Sequence, residues 1–549
     1  MKKVNAIILF TLLLFSQNLF GQRNKAPKLV VGIVIDQMCY DYLYRYYNKF
    51  SNEGFKKIMV KGTNCRNTQY NYLPTYTGPG HASIYTGTTP SNHGIIANDW
   101  YDRTTLKEKN CVEDTSVNTI GSSSIQGQCS PKNMFALTIT DQLKLTYPSS
   151  KVISLSIKNR GAILPGGHKS NGSYWYDYTT GDFITSSYYE KELPTWLQNF
   201  NAKKSVLNYM SQTWNTLYPI ETYTESSKDD SPYEELIFGN TFPIFPYSFN
   251  NLDDAKKIKT FTSTPFANTH LLNASLAAIS GEHLGEHSTS DFLCISFSST
   301  DILGHAYGPQ SIEIEDMYLR LDQEIARLLS YLDKNIGKKE YTLFITADHA
   351  VVPVPQLLID NKLPGGYFYS EKPIKELREN CIKKFGFDYI LEESNNNIYL
   401  DKEKLKLKDI NITVVQNYIK DQIKYWSNIN NVYTADELEN SEQADYWKNL
   451  VKSGYVKNES GDVIYTLNPG YLPYFKDTEK SHKGTSHGSG YSYDTHVPLL
   501  WYGKHIPRKE IFRKVEVTSI TATLVHLLNL SKPSMTTGEP ILEITNYKH

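Results

Sequence analysis

Residues 28–36 read Lys-Leu-Val-Val-Gly-Ile-Val-Ile-Asp, an apolar run opened by a lysine and closed by an aspartate. A strand with one wet face alternates apolar and polar side chains. A run that is apolar throughout suits a strand covered on both faces, as in a parallel sheet between layers of helices. The pattern recurs at 151–157 (KVISLSI), 291–297 (DFLCISF), 341–346 (YTLFIT) and 497–502 (VPLLWY), all read as parallel strands. Between them, Ser311–Asn335 carries Ile312, Met317, Leu321, Ile325, Leu328 and Leu332 mostly at helical spacing, and Val517–Leu530 is a second helical pattern. Alternating strands and helices predict an α/β fold: a mostly parallel central sheet with helices on both faces.

Residues 353–480 interrupt this alternation. They hold helix patterns at Ile374–Phe385 and Val414–Trp426 and a strand candidate at Val463–Leu467. The expected organisation is a core of residues 27–352, an inserted α+β cap over 353–480, and the C-terminal part of the core over 481–549. Trp175–Tyr189 reads as an aromatic hairpin turning near Thr180–Asp182.

Residues 1–21 read as a secretory signal: Lys2 and Lys3, the apolar stretch Ala6–Phe15, and Gly21 as a small residue at the cleavage point. The apolar stretch is too short to favour a membrane anchor. A periplasmic or secreted protein, expected to be monomeric, follows. The 549 residues carry 57 basic and 58 acidic side chains. That balance excludes a nucleic-acid partner held by bulk charge. Six cysteines in a chain of this length do not make a disulfide scaffold. Cys111 and Cys129 could pair after export, and Cys294 reads as core.

In an open α/β sheet, ligands bind beyond the carboxyl ends of the strands. The polar residues just past the strand candidates are Asp36, Lys158-Asn159-Arg160, Asp301 with His305, and Asp348-His349. Each alone is unremarkable, since most single aspartates and histidines are surface or capping groups. Their joint placement has no structural reason. Carboxylates and imidazoles converging at one edge suit Zn²⁺. Five ligands exceed one catalytic zinc, so a pair of ions ~3.5–4 Å apart is the natural reading. A further histidine is wanted, and His487, His482 and His496 compete for the place. Thr77, within Leu73-Pro-Thr-Tyr-Thr77-Gly-Pro-Gly-His81, precedes a helical stretch. There its hydroxyl is either an ordinary N-cap or a nucleophile at a helix N-terminus.

These segments, in the order VVGIVIDQM, LPTYTGPGHASIYTG, NDWYD, SIKNR, STDILGHAYGP, TADHA and GTSHGSGYSYDTHVPLL, resemble the alkaline phosphatase superfamily. The similarity is closest to its threonine-nucleophile, phosphate-irrepressible branch, from about residue 27 to the C-terminus. The resemblance implies two zinc ions, one on Asp36, Asp348, His349 and the nucleophile Thr77, the other on Asp301, His305 and His487. It implies that Asn98, Lys158 and Arg160 grip the phosphoryl oxygens. It also implies hydrolysis of phosphate monoesters through a phospho-threonine, without a third metal. Nucleotide pyrophosphatase/phosphodiesterases resemble the chain less at Lys158-x-Arg160, and the sulfatase motifs C-x-P-x-R and S-x-P-x-R are absent. Diester hydrolysis on the same site is the alternative, followed by a non-catalytic exported binding protein.

Overall fold

The computed structural model describes residues 25–440, 445–478 and 482–547. The expected signal sequence lies outside these residues. The main sheet runs, in spatial order, Lys509–Ile511, Thr63–Gln69, His496–Gly503, Tyr341–Thr346, Leu29–Ile35, Asp291–Phe297, Val152–Ser156, Gly172–Tyr176, Phe183–Ser186 and Thr119–Ile120. The strands from Tyr341–Thr346 through Gly172–Tyr176 are mutually parallel. Leu29–Ile35 and Asp291–Phe297 are buried at every position, as strands covered on both faces are. The helices Pro265–Gly281 and Ile312–Leu332, together with Ser519–Leu527, contribute buried residues to this core.

One expected strand runs the other way. His496–Gly503, which contains the 497–502 run, is antiparallel to Tyr341–Thr346, pairing Leu343 with Tyr502 and Ile345 with Leu500. Apolar patterning reports burial on both faces and is blind to direction. The reversal matters for the site. The residues entering this strand lie at the edge where the parallel strands end. Thr63–Gln69, antiparallel to it in turn, points back toward that same edge. The loops before His496 and after Gln69 therefore reach one place.

The hairpin expected at 175–189 forms between Gly172–Tyr176 and Phe183–Ser186. Within 353–480, Ile390–Ser394, Asn397–Leu400, Val463–Leu467 and Ile429–Thr434 make an antiparallel sheet of their own. Leu377, Cys381, Ile398, Val415, Ile419 and Val463 form a hydrophobic cluster there, apart from the main core. Asn395 and Asn396 turn its hairpin with φ of 52° and 60°, and Asn395 Nδ2 donates to the Asp99 carbonyl at 2.8 Å. Arg103 reaches across from the other side to Leu400 O and Asp462 Oδ2. All six cysteines are free and buried, Cys111 and Cys129 included.

Candidate active site

Four parallel strands deliver their next residues to one edge. Asp36 follows Leu29–Ile35, and Lys158 follows Val152–Ser156. Asp348 and His349 follow Tyr341–Thr346, and Asp291–Phe297 leads into the helix Ser299–Tyr307. On that helix Asp301 and His305 stand one turn apart on one face. His305 Nε2 lies 3.2 Å from Asp301 Oδ1, and His487 Nε2 lies 3.6 Å from the same oxygen. Lys158 Nζ is 2.5 Å from Asp301 Oδ2 and 3.2 Å from Asp36 Oδ2. His349 Nε2 is 3.4 Å from Asp348 Oδ2.

Thr77 opens the buried helix Thr77–Thr86, and Tyr76 rather than Thr77 is its cap residue. The threonine hydroxyl is thus not consumed by capping. Its Oγ1 lies 3.4 Å from Lys158 Nζ and 3.5 Å from His349 Nε2. Gly80 makes this approach possible, since a Cβ there would stand 2.4 Å from the Asp348 carbonyl oxygen. Asn98 Oδ1 accepts from the Gly78 N–H at 2.7 Å, so its amide nitrogen is what it can offer a ligand. Arg160 lies in the first turn of Asn159–Gly166, and its Nε is buried without a hydrogen-bond partner. Lys158 and Arg160 line one cleft together.

Two other candidates lie elsewhere. His482 is exposed beside Asp477, 2.9 Å away. His496 stacks on Tyr40 and bonds the Arg66 carbonyl.

The histidines share a pattern that bears on metal binding. Nδ1 of His305, His349 and His487 bonds a backbone carbonyl, of Thr485, Ala350 and Thr75 at 2.8, 3.1 and 2.7 Å respectively. Each ring thereby holds its proton on Nδ1 and turns Nε2 toward the carboxylates, the arrangement by which proteins orient imidazole ligands. Burial lowers His349 to about 4 and, with the neighbouring imidazoles, takes His487 well below its ordinary value. Both rings therefore offer an unprotonated nitrogen. Burial opposes the ionised form of Asp301, yet His305 and Lys158 hold it well below the usual range. Burial and the Asp36 charge push Asp348 up to about 7. Asp348 Oδ2 is buried with no hydrogen-bond partner, and Asp36 Oδ2 has only the Lys158 ammonium at 3.2 Å. Buried lone pairs left open beside unprotonated imidazoles fit a divalent cation. Ligand atoms of Asp301, His305 and His487 all lie within 4.8 Å of one another, as do those of Asp36, His81 and Asp348.

Sequence reasoning missed several members. His81 stands 3.6 Å from both Asp36 and Asp348, but its two ring nitrogens are engaged by Thr77 O and Ser296 Oγ at 2.9 Å each. Ser296 Oγ in turn donates to Asp36 Oδ1 at 3.0 Å. Gln37, at φ 64°, gives Nε2 to Asp301 Oδ1 at 2.8 Å and its backbone N–H to Asp348 Oδ1 at 3.1 Å. Asp494 Oδ2 accepts from Gly488 and Ser489 N–H, fixing the loop that carries His487. His81 occupied the quoted threonine motif and Gln37 adjoined Asp36, so both were within reach of the sequence.

The model of the type I phosphodiesterase / nucleotide pyrophosphatase family matches residues 30–490. The chain belongs to this family. Among the family's curated relatives, it is 40% identical to alkaline phosphatase PafA of Elizabethkingia meningoseptica, over 98% of each chain. It is 41% identical to a protein of Myroides odoratus named calcium-transporting ATPase, over 96% of each chain. It is also 41% identical to alkaline phosphatase PhoV of Synechococcus elongatus, over 96% of this chain and 94% of that one. The crystal structure of alkaline phosphatase PafA superposes with a TM-score of 0.90 at 40% identity, covering 95% of this chain and 99% of that one. The resemblance drawn from the motifs thus extends over nearly the whole molecule, and the mostly parallel α/β architecture is that of this relative.

Proposed function

We propose that this protein is an exported, metal-dependent alkaline phosphatase that hydrolyses phosphate monoesters through a phospho-threonine at Thr77. The observation that carries the reading is the convergence of Thr77 Oγ1, Lys158 Nζ and three Nδ1-tied histidines on one group of carboxylates. The names of the two phosphatase relatives support it. Release of a terminal phosphate from ATP is the same phosphoryl transfer to water, so the third relative's name is compatible with it. Residues 353–480 are read as an inserted cap at the site's margin.

Asp36, Asp348, His349 and Thr77 would hold one Zn²⁺, and Asp301, His305 and His487 the other. His349 is preferred to His81 because its Nε2 faces the cluster, whereas both His81 nitrogens are engaged. When bound, such ions polarise phosphoryl oxygens and ease deprotonation of a hydroxyl. The chain supplies the rest. The Lys158 ammonium, 3.4 Å from Thr77 Oγ1, favours the anionic form of that oxygen. The helix N-terminus behind it adds its amide dipoles. Arg160 brings a planar fork for two non-bridging oxygens, and Asn98 brings an amide N–H. Such preorganised donors act most strongly where charge builds in the transition state. Thr77 Oγ bonds phosphorus as the ester oxygen departs with its electron pair. Water then takes the phosphoryl group, and the threonine hydroxyl is regenerated. Two in-line steps give net retention at phosphorus. A solved variant of the PafA phosphatase is altered at one threonine, one asparagine, one lysine and one arginine, the residue types of Thr77, Asn98, Lys158 and Arg160.

Metal content measured together with rates on an aryl phosphate monoester and a bis-aryl diester tests the proposal. Two zincs per chain and a strong monoester preference are expected, with Arg160→Ala hurting the monoester far more than the diester. Diester preference would keep the site and overturn the substrate class. Absence of metal and turnover after zinc addition would leave only a binding protein.

A further inference from the structure

The cluster is walled in on most sides. Asp36, Asp348 and His349 are fully buried, and Thr77, Asp301 and His487 nearly so. His305 is the exception, with 38% of its side chain exposed. Three clefts among the described residues touch the site, and the narrowest, of about 80 Å³, meets it at His487. A second, of about 430 Å³, ends on Lys158 and Arg160. The third, of about 720 Å³, ends on His305. Tyr178 lines the last two. Thr262 lines the His305 cleft with it, and Lys158 and Arg160 line the other.

In-line displacement sets the attacking and departing oxygens on opposite sides of phosphorus. Thr77 attacks from the side of His349 and Asp348. The departing oxygen then faces Asp301, His305 and His487, and the organic group it carries must pass out beside the exposed edge of His305. The wall of that cleft is apolar over Leu236, Ile237, Ile302 and Ala306, and Leu236 is 46% exposed. Leu236 and Ile237 belong to a stretch whose backbone is anchored here, Glu235 N–H donating to the Ala306 carbonyl at 3.0 Å. The apolar wall is thus fixed to the helix that bears His305. Lys259 and Lys483 also border the cleft, so a second anionic group is the competing occupant.

We propose that the His305 cleft is the leaving-group subsite and that it takes the aromatic or apolar body of an alcohol, with Leu236 and Tyr178 as the specificity-determining residues. This rests on the phosphomonoesterase reading of the site. The cleft beside Arg160, in contrast, serves the non-bridging oxygens.

Phenethyl phosphate and ethyl phosphate leave as alkoxides of similar basicity and differ in the ring. Their kcat/KM ratio therefore reads the subsite apart from the chemistry. In the zinc-loaded enzyme, Leu236→Asp is expected to lower the phenethyl-to-ethyl ratio about tenfold, chiefly through KM, the scale of a lost apolar contact. Tyr178→Ala is expected to lower it as well, and Tyr178→Phe to restore it. Leu236 is exposed enough for its substitution to be tolerated, and the Tyr178 pair gives a second reading if it is not. An unchanged ratio in both Leu236→Asp and Tyr178→Ala would overturn the subsite while leaving the phosphatase intact. A wild-type preference for phospholactate over ethyl phosphate that Lys483→Ala removes would overturn the apolar assignment. Turnover of neither ester by the wild type would overturn the phosphomonoesterase reading itself.

Discussion

Two groups of acids are buried in this molecule, and they are neutralised by different means. Asp36, Asp301 and Asp348 surround the Lys158 ammonium and face imidazoles. Glu234, within the long segment between Tyr209 and Asp254, and Glu313, on the helix Ile312–Leu332, make up the other group. Glu313 Oε1 accepts a hydrogen bond from the Tyr247 hydroxyl at 2.5 Å, and Oε2 of each glutamate is buried without a partner. Burial is nearly complete in both groups, so burial alone does not set the charge. Asp301, beside His305 and Lys158, is held well below the carboxylate range. Glu313 is pushed up to about 8 by burial, and Glu234 to about 11 by burial and the Glu313 charge. Partners decide whether a buried carboxyl keeps its charge or its proton. The first group holds its charge at Asp301, where cationic partners are nearest, and keeps a proton on Asp348 up to about 7; the second group, without such partners, keeps its protons to higher pH.

The largest effects should come from the charged group. Thr77→Ala is expected to cut kcat by at least about a thousandfold, as loss of a covalent nucleophile does, with little change in thermal stability. Steady-state rates and a melting curve check both halves, and full activity in the variant would remove Thr77 from its role. Stripping metal with a chelator should abolish turnover and lower the melting temperature, because a ligand bound to the folded state alone stabilises it. Asp36→Asn sharpens the contrast. At pH 9, where Asp348 is also ionised, it deletes one of several repelling charges. The metal-free variant should therefore melt above the metal-free wild type although it is inactive. A lower melting point would mean that Lys158 already balances the cluster.

Much of this was legible in the sequence, for definite reasons. Runs such as 29–35 and 292–295 carry no alternating polar side chain because both faces are covered, so the sheet and its carboxyl edge could be found. Asp36, Asp301 and Asp348 then stood where an α/β fold puts its ligands. His487 did not follow from spacing. It enters through a strand running opposite to the expected direction, and the resemblance selected it over His482 and His496. Gln37 and Asp494 stayed hidden because their roles are hydrogen bonds to groups brought near by folding. Gln37 reaches Asp348 across 311 residues of chain, a relation that no local pattern encodes.

A middle-sized effect is expected where the charged group meets its support. Asp494 Oδ2 accepts from Gly488 N–H at 3.1 Å and Ser489 N–H at 2.7 Å. Thr75 Oγ1 donates to the Ser489 carbonyl at 3.0 Å, and the Thr75 carbonyl accepts from His487 Nδ1 at 2.7 Å. One carboxylate thereby aims the imidazole that faces Asp301. Asp494→Ala should lower metal affinity or activity roughly 10–100-fold, the usual cost of removing a group that orients a ligand. Asp494→Asn, which keeps an acceptor oxygen, should recover much of it. Titrating zinc into each variant while following rate separates weakened metal binding from misplaced chemistry. Equal behaviour of the two variants would assign Asp494 to packing alone.

The smallest effect on activity, and the sharpest test of the contrast, belongs to Glu313→Gln. Glu313 lies outside the catalytic group, so turnover should be unchanged. Stability should not be. The folded chain keeps the Glu313 proton up to about 8, whereas the ordinary glutamate value is 4.5. Between those values the folded state binds more protons than the unfolded one, so wild-type stability falls as pH rises. The contribution is complete below 4.5 and gone above about 8. Glutamine cannot ionise, retains a carbonyl oxygen for the Tyr247 hydroxyl, and escapes that loss. The melting temperature of Glu313→Gln relative to wild type should therefore climb as pH rises above 4.5. A difference that stays constant with pH would mean that the carboxyl is ionised in the folded protein as in the unfolded one. Some positive charge would then neutralise this group too, and the two buried clusters would be alike rather than opposite.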